Sequence, residues 1–193
     1  LYGGAVETRI AVDLEELMDW FEDDSATPRT VTDASFDPER LESLRSRLSA
    51  AYKGINVLIL REGASDFFWK GRIQQLDTQE VALDIHHIFP RAWCEANSIP
   101  PKVYDSIINK TPISYKANRM IGGDAPSTYL AKLQSHEQVQ LENDEMDVIL
   151  NGHFIPTEQL RTDDFPGFFE ARKRLLMGLI EKAMGKKALS EGA

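Results

Sequence analysis

Four prolines, Pro90, Pro100, Pro101 and Pro112, punctuate the middle of this chain. They constrain its fold more than any other feature. Proline removes a backbone donor and clashes with the preceding helical turn, so no long helix can cross residues 90–112. Two short apolar runs flank this stretch. Val81 to His87 alternates weakly and reads as a strand ending on two histidines, and Thr111 to Tyr115 reads as a second strand.

The rest of the sequence has helical periodicity. Leu14, Leu17, Met18 and Phe21 fall on one stripe, with Asp13 as the expected N-cap. A polar loop from Asp23 to about Asp37 precedes a helix whose first turn carries Pro38 and whose apolar face is Leu41, Leu44, Leu48, Ala51 and Tyr52. That helix is expected to reach Lys53 or break at Gly54, with Ile55 to Leu60 continuing as buried helix or strand. Phe67, Phe68 and Trp69 are expected to pack beneath a loop from Gly63 to Gly71. Lys116 to Met120 begins a helix interrupted at Gly122-Gly123, and Pro126 starts another through Leu133. From Ser135 onward the sequence reads helical. One pattern is Val139, Leu141, Met146, Ile149 and Leu150; another runs from Phe165 through Met184 and stops at Gly185. The expected class is α+β and mostly α-helical. A strand–strand–helix core (81–133) lies between helical parts (1–80 and 134–193) of one domain.

At 193 residues and 42% hydrophobic content the chain can bury one substantial core. It holds no apolar run near the ~18 residues a membrane span needs, and residues 1–12 lack the basic start and apolar stretch of a signal peptide. The single cysteine, Cys94, excludes an internal disulfide and suits a cytoplasmic location. The chain opens on Leu1-Tyr2-Gly3-Gly4 rather than on Met, which we expect of a piece of a longer protein. Net charge is −9, yet residues 84–133 carry six Lys/Arg against four acids, a local balance of +2 that leaves −11 elsewhere. Such a chain is expected to hold nucleic acid weakly on its own.

The chemistry concentrates at Asp84-Ile85-His86-His87, Asn109 and Asn118. Phosphodiester hydrolysis needs an activated water and a cation to stabilise developing charge. Histidine can take a proton from water near neutral pH. Successive strand side chains face opposite ways, so His86 and His87 can divide the work, with Asp84 on the face of His86. Asn118, near a helix start, offers a carbonyl oxygen as a second metal ligand. One imidazole and one oxygen ligand with retained waters suit Mg²⁺, with Mn²⁺, Ni²⁺ or Zn²⁺ as substitutes. Asn109 is expected to hydrogen-bond backbone across the loop and so hold His87 in place.

This arrangement resembles the HNH, or ββα-metal, nuclease superfamily. There an acidic residue or His and then a His close the first strand, an Asn follows in the loop, and a His or Asn lies nine residues later. His86, His87, Asn109 and Asn118 match, and Asp84-Ile85-His86-His87 is similar to the Glu-x-His-His of the colicin nucleases. Two departures stand out: the 22 residues from His87 to Asn109 imply a loop insertion, and Asn118 replaces a histidine, as in the CRISPR effector HNH domain. Further segments look like the C-terminal nuclease half of GmrSD-type phage-defence and restriction proteins, a group that reaches into the phosphorothioation-linked system. They are Leu1 to Gly4, Glu7-Thr8-Arg9, Ser49 to Gly54, His86 to Trp93, Asn109 to Pro112, Ile121 to Gly123, and Ala125 to Leu130. The resemblance covers nearly the whole chain. It implies a DNA endonuclease that nicks by default, a divalent metal, and an N-terminal nucleotide-hydrolysing half that is absent here. A homo-oligomer of the full-length protein is among the expected partners.

Arg91, Lys110, Lys116 and Arg119 are candidate phosphate contacts or ordinary surface charges. His136 and His153 are expected to be packing or surface residues, Cys94 to be core, and Trp20, Trp69 and Trp93 to pack rather than stack on bases. Two alternatives to a DNA nuclease stand: a catalytically weak DNA- or partner-binding module that keeps fold and metal for structural reasons, and RNA as the substrate.

Overall fold

The computed structural model describes residues 6–77 and 82–188. Four helices come first: α1 (Val6–Glu22), α2 (Arg29–Thr32), α3 (Glu39–Ser43) and α4 (Ala50–Arg61). Strand β1 (Leu83–His87) is joined to β2 (Lys110–Ser114) through α5 (Arg91–Ala96), α6 (Pro101–Tyr104) and a 3-10 turn at Ile107–Asn109. Helix α7 (Tyr115–Ile121) follows β2 without a loop. Then come α8 (Pro126–Gln134), α9 (Asn143–Gly152), α10 (Thr157–Arg161) and α11 (Phe165–Met184). The chain is an α+β protein, mostly helical, with a small two-stranded antiparallel sheet. Val81, expected to open the first strand, and Leu1 to Gly4 lie outside the described residues.

The strands pair in register, with His87 opposite Lys110, His86 opposite Thr111 and Ile85 opposite Pro112. Proline fits within β2 because a two-stranded sheet leaves one edge of each strand unpaired, where a missing N–H costs nothing. Every residue of β2 is buried, whereas β1 is half-exposed. Helix α7 packs on both strands and α8, and α11 packs on α4 and on the turn before β2. Ser114 caps α7 by accepting the Ala117 N–H at 3.1 Å, and the buried Asp66 carboxylate in turn takes the Ser114 N–H and hydroxyl. Gly122, at φ +56°, ends α7 in a conformation a side chain would strain.

Expectations about three helical segments change. Helix α1 starts at Val6, so Asp13 is an interior residue and not its N-cap. Its stripe faces outward, with Leu14, Met18 and Phe21 61%, 62% and 74% exposed, because little besides α2 packs against it. The helix begun after Pro38 stops at Ser43, where Leu44 turns extended, and α4 starts afresh with Ser49 accepting the Tyr52 N–H. Gly54 lies inside α4 and does not break it; burial of Tyr52, Ile55 and Ile59 outweighs the ~1 kcal/mol cost of a helical glycine. The stretch Ile55 to Leu60 is therefore helix. Finally, Val139 and Leu141 pack from the loop before α9 rather than from a helix.

Among the described residues no helix is long and apolar enough to cross a membrane.

Candidate functional site

The end of β1 sits between two stapled segments. On one side, residues 44–47, between α3 and α4, reach across to the sheet. Leu44 O accepts the Ile107 N–H at 2.9 Å, Arg45 donates twice to Lys102 O, and Arg47 donates to Asp84 Oδ1 at 2.7 Å and to Ile85 O at 2.6 Å. On the other side, Asn109 is fully buried and makes three backbone bonds. Its Oδ1 accepts the Phe89 N–H at 2.8 Å, and its Nδ2 donates to Phe89 O and Tyr104 O, each at 3.0 Å. The Asn109 carbonyl also accepts the Ile88 N–H. A carboxamide, with one acceptor and two donors, satisfies these groups where a carboxylate could not. Asn109 thus fixes the chain immediately after His87.

His87 Nε2 lies 2.9 Å from Asp105 Oδ1, and its ring meets the Tyr104 ring edge-on at 5.9 Å. Lys110, the cross-strand partner of His87, places Nζ 3.3 Å from the same carboxylate oxygen. Burial holds the His87 imidazole below its ordinary pKa, against the Asp105 contact, so the neutral base form is favoured. Asp105 is kept below the usual carboxylate range: partial burial alone would raise it, but the His87 hydrogen bond and the Lys110 charge prevail.

His86 turns the other way. Its Nε2 is buried and has no hydrogen-bond partner among the described residues. Burial also lowers its pKa, which leaves an imidazole with an uncommitted nitrogen. Asn118 is half-buried on α7, the helix that packs on both strands. Asp84 is exposed and committed: its Oδ1 takes Arg47 and its own neighbour's Ile85 N–H. Despite the opposing effect of burial, these contacts keep the carboxyl below its usual range. Among the described residues no three His, Cys, Asp or Glu side chains gather into a group that could hold a metal ion. A His86–Asn118 pair would instead suit a cation that retains most of its waters, as Mg²⁺ does.

The four candidate phosphate contacts divide. Arg91, Lys116 and Arg119 are exposed, though Arg91 Nε bonds Glu95 at 2.7 Å, Lys116 lies 5.0 Å over the Phe68 ring and Arg119 lies 5.8 Å over the Tyr115 ring. Lys110 is buried beside Asp105 and is not a surface charge. His153 is fully buried, with Nε2 2.8 Å from Ser65 O and Nδ1 2.7 Å from Thr111 Oγ1; burial drops its pKa to about 4. His136 packs edge-on to Phe68. Cys94 is buried, its thiol pushed up to about 12 by burial. Trp93 packs on Phe89, whereas Trp20 and Trp69 are partly exposed while their rings meet Phe21 and Phe68.

Sequence reasoning missed Asp105, Arg45 and Arg47. Asp105 follows a four-residue helix inside an apparent insertion, and only the return of that insertion toward β1 brings it to His87. The arginines precede the Ser49 N-cap, and their partners are 37 to 57 residues away.

The chain is 29% identical over 202 aligned residues to the uncharacterized protein MJ0686 of Methanocaldococcus jannaschii, with 93% of the chain aligned. It spans 34% of that relative's length. No family model matches the chain, and no solved structure matches it.

Proposed function

We propose that this chain is a metal-dependent DNA endonuclease of the HNH type, the effector part of a larger defence protein, with His87 as general base. The observation that carries this reading is the pair of histidines closing β1. One has a buried Nε2 with no partner among the described residues, the next is tied to a carboxylate, and the paired strand runs directly into the helix bearing Asn118. A buried imidazole nitrogen without a partner costs free energy in a purely structural site, and a cation ligand would satisfy it. His86 and Asn118 would hold that divalent cation, which supplies positive charge for the scissile phosphate and the leaving 3′ oxygen.

The residues of this chain would do the following. His87 takes a proton from the attacking water, favoured by its neutral resting form. Asn109 keeps the backbone after His87 from shifting. Asp84, already neutralised by Arg47, serves the architecture of the strand end rather than direct ligation. One site cuts one strand, so a nick is the product.

The test is relaxation of supercoiled plasmid with Mg²⁺ or Mn²⁺, run beside single- and double-stranded RNA. Nicking of DNA is expected, with His87→Ala slowing it about 100-fold or more. His86→Ala should abolish any thermal stabilisation by Mn²⁺, a readout independent of turnover. Nicking undiminished in His87→Ala would remove the base from this reading. Metal stabilisation undiminished in His86→Ala would remove the ligand.

A further inference from the structure

The stretch between β1 and β2 does more than connect them. It returns Asp105, the residue immediately after α6, to the tip of β1, where Oδ1 lies 2.9 Å from His87 Nε2. A carboxylate can only accept, and a neutral imidazole carries one N–H and one lone pair. The contact therefore needs the hydrogen on Nε2.

We propose that Asp105 is a positioning residue that holds His87 in its Nε2–H tautomer and so presents Nδ1 as the proton acceptor. This inference rests on the reading of His87 as the base.

Three features make the arrangement rigid. Lys110 Nζ, 3.3 Å from the same oxygen, can only donate, so it helps keep Asp105 ionised without competing for the imidazole N–H. The Tyr104 ring packs edge-on against the imidazole and limits its rotation. Asp105 itself is held from both sides, by Arg45 on Lys102 O and by Leu44 O on the Ile107 N–H. Residues 44–47 therefore anchor the carboxylate that orients the base, as well as the strand that carries it. Asp84 shares the strand face of His86, opposite to His87, and is held there by Arg47.

The decisive measurement is the tautomeric state of His87. Long-range proton–nitrogen NMR correlations on the wild-type protein, with the His87 signals assigned by their loss in His87→Ala, report which ring nitrogen is protonated. A single Nε2–H form is expected, giving way to a mixture in Asp105→Ala. In the nicking assay Asp105→Ala should lower kcat about 10- to 100-fold, as removal of an outer partner of a catalytic group commonly does, while KM stays within about twofold. Asp105→Glu should recover part of kcat, which a loss of folding would not allow. A wild-type mixture or Nδ1–H form, or an unchanged kcat in Asp105→Ala, overturns the proposal. The nuclease reading fails separately: a wild-type protein that cuts nothing refutes that reading and the base role together, while the NMR spectra still decide whether Asp105 fixes the ring.

Discussion

At the scale of single residues, the side chains that hold the frame of the site have hydrogen-bonding capacity that matches their surroundings. Asn109 is the clearest: removing its carboxamide strands the Phe89 N–H and Tyr104 O in the interior and leaves Phe89 O only the weak Cys94 thiol. With about 1–3 kcal/mol for each buried polar group left unsatisfied, Asn109→Ala should cost about 3 kcal/mol or more, read by urea unfolding. Asn109→Asp should also destabilise at neutral pH, because it cannot donate to either carbonyl. His153 makes a second residue-scale prediction. Its folded pKa of about 4 lies below the ordinary 6.5. The unfolded chain therefore takes up the proton first as pH falls. The stabilisation is complete above about pH 6.5 and disappears as pH drops toward 4, with an upper limit of about 3 kcal/mol. Urea unfolding at pH 7 and pH 5 should show the loss, and His153→Gln should flatten it. An equally steep slope in that variant would place the acid sensitivity elsewhere.

At the scale of elements, the strand pair is secured from behind by α11. Arg172, fully buried on that helix, donates to the carbonyls of Ile108, Lys110 and His153 and has no carboxylate partner among those bonds; burial lowers its pKa to about 9. The bonds tie α11 to the turn and strand that carry Asn109 and Lys110. Arg172→Met should therefore cost about 3 kcal/mol or more in unfolding free energy, because three carbonyls lose a charged donor. A loss under 1 kcal/mol would mean that other groups satisfy them. The start of α4 offers a milder case: Ser49→Ala should cost about 1 kcal/mol by removing the cap on the Tyr52 N–H. The central elements were legible from sequence because Pro90, Pro100 and Pro101 forbid alternatives and because the apolar runs are short. The boundary between α3 and α4 was not. Leu44, Leu48, Ala51 and Tyr52 keep helical spacing across the break, and only the contacts of residues 44–47 with β1 and the β1–β2 connection make an extended segment worth its lost helical bonds.

At the scale of the whole molecule, charge sets the expectation for substrate binding. The chain carries −9 overall, and the one buried lysine of the central segment is internal to the site and adds nothing to a phosphate-gripping surface. Fluorescence anisotropy with duplex DNA at 0.15 M salt should give a Kd no tighter than about 10⁻⁵ M, the range of weak non-specific contact. Nanomolar affinity would reveal a basic face assembled by folding that the linear charge pattern conceals. The outward stripe of α1 belongs to this scale too. Its helical period was plain from sequence, but periodicity reports only that a helix has two faces. Which face is covered depends on what else packs there.

The sequence by itself determined the mostly helical class and the two short strands around a proline-broken connection, with adjacent histidines closing the first strand and Asn109 just before the second. These follow from local rules: backbone sterics, side-chain period and the donor inventory of each residue type. Tertiary structure alone decided which groups those residues meet. It set Asp105 on His87, Arg47 on Asp84, Lys110 inside rather than outside, and Arg172 behind β2. These partners are separated by 18 to 64 residues, except for Lys110 and Asp105, which meet across the turn at the start of β2. Contacts at such separations leave no periodic trace, because they form only when packing of the apolar faces has brought distant segments together.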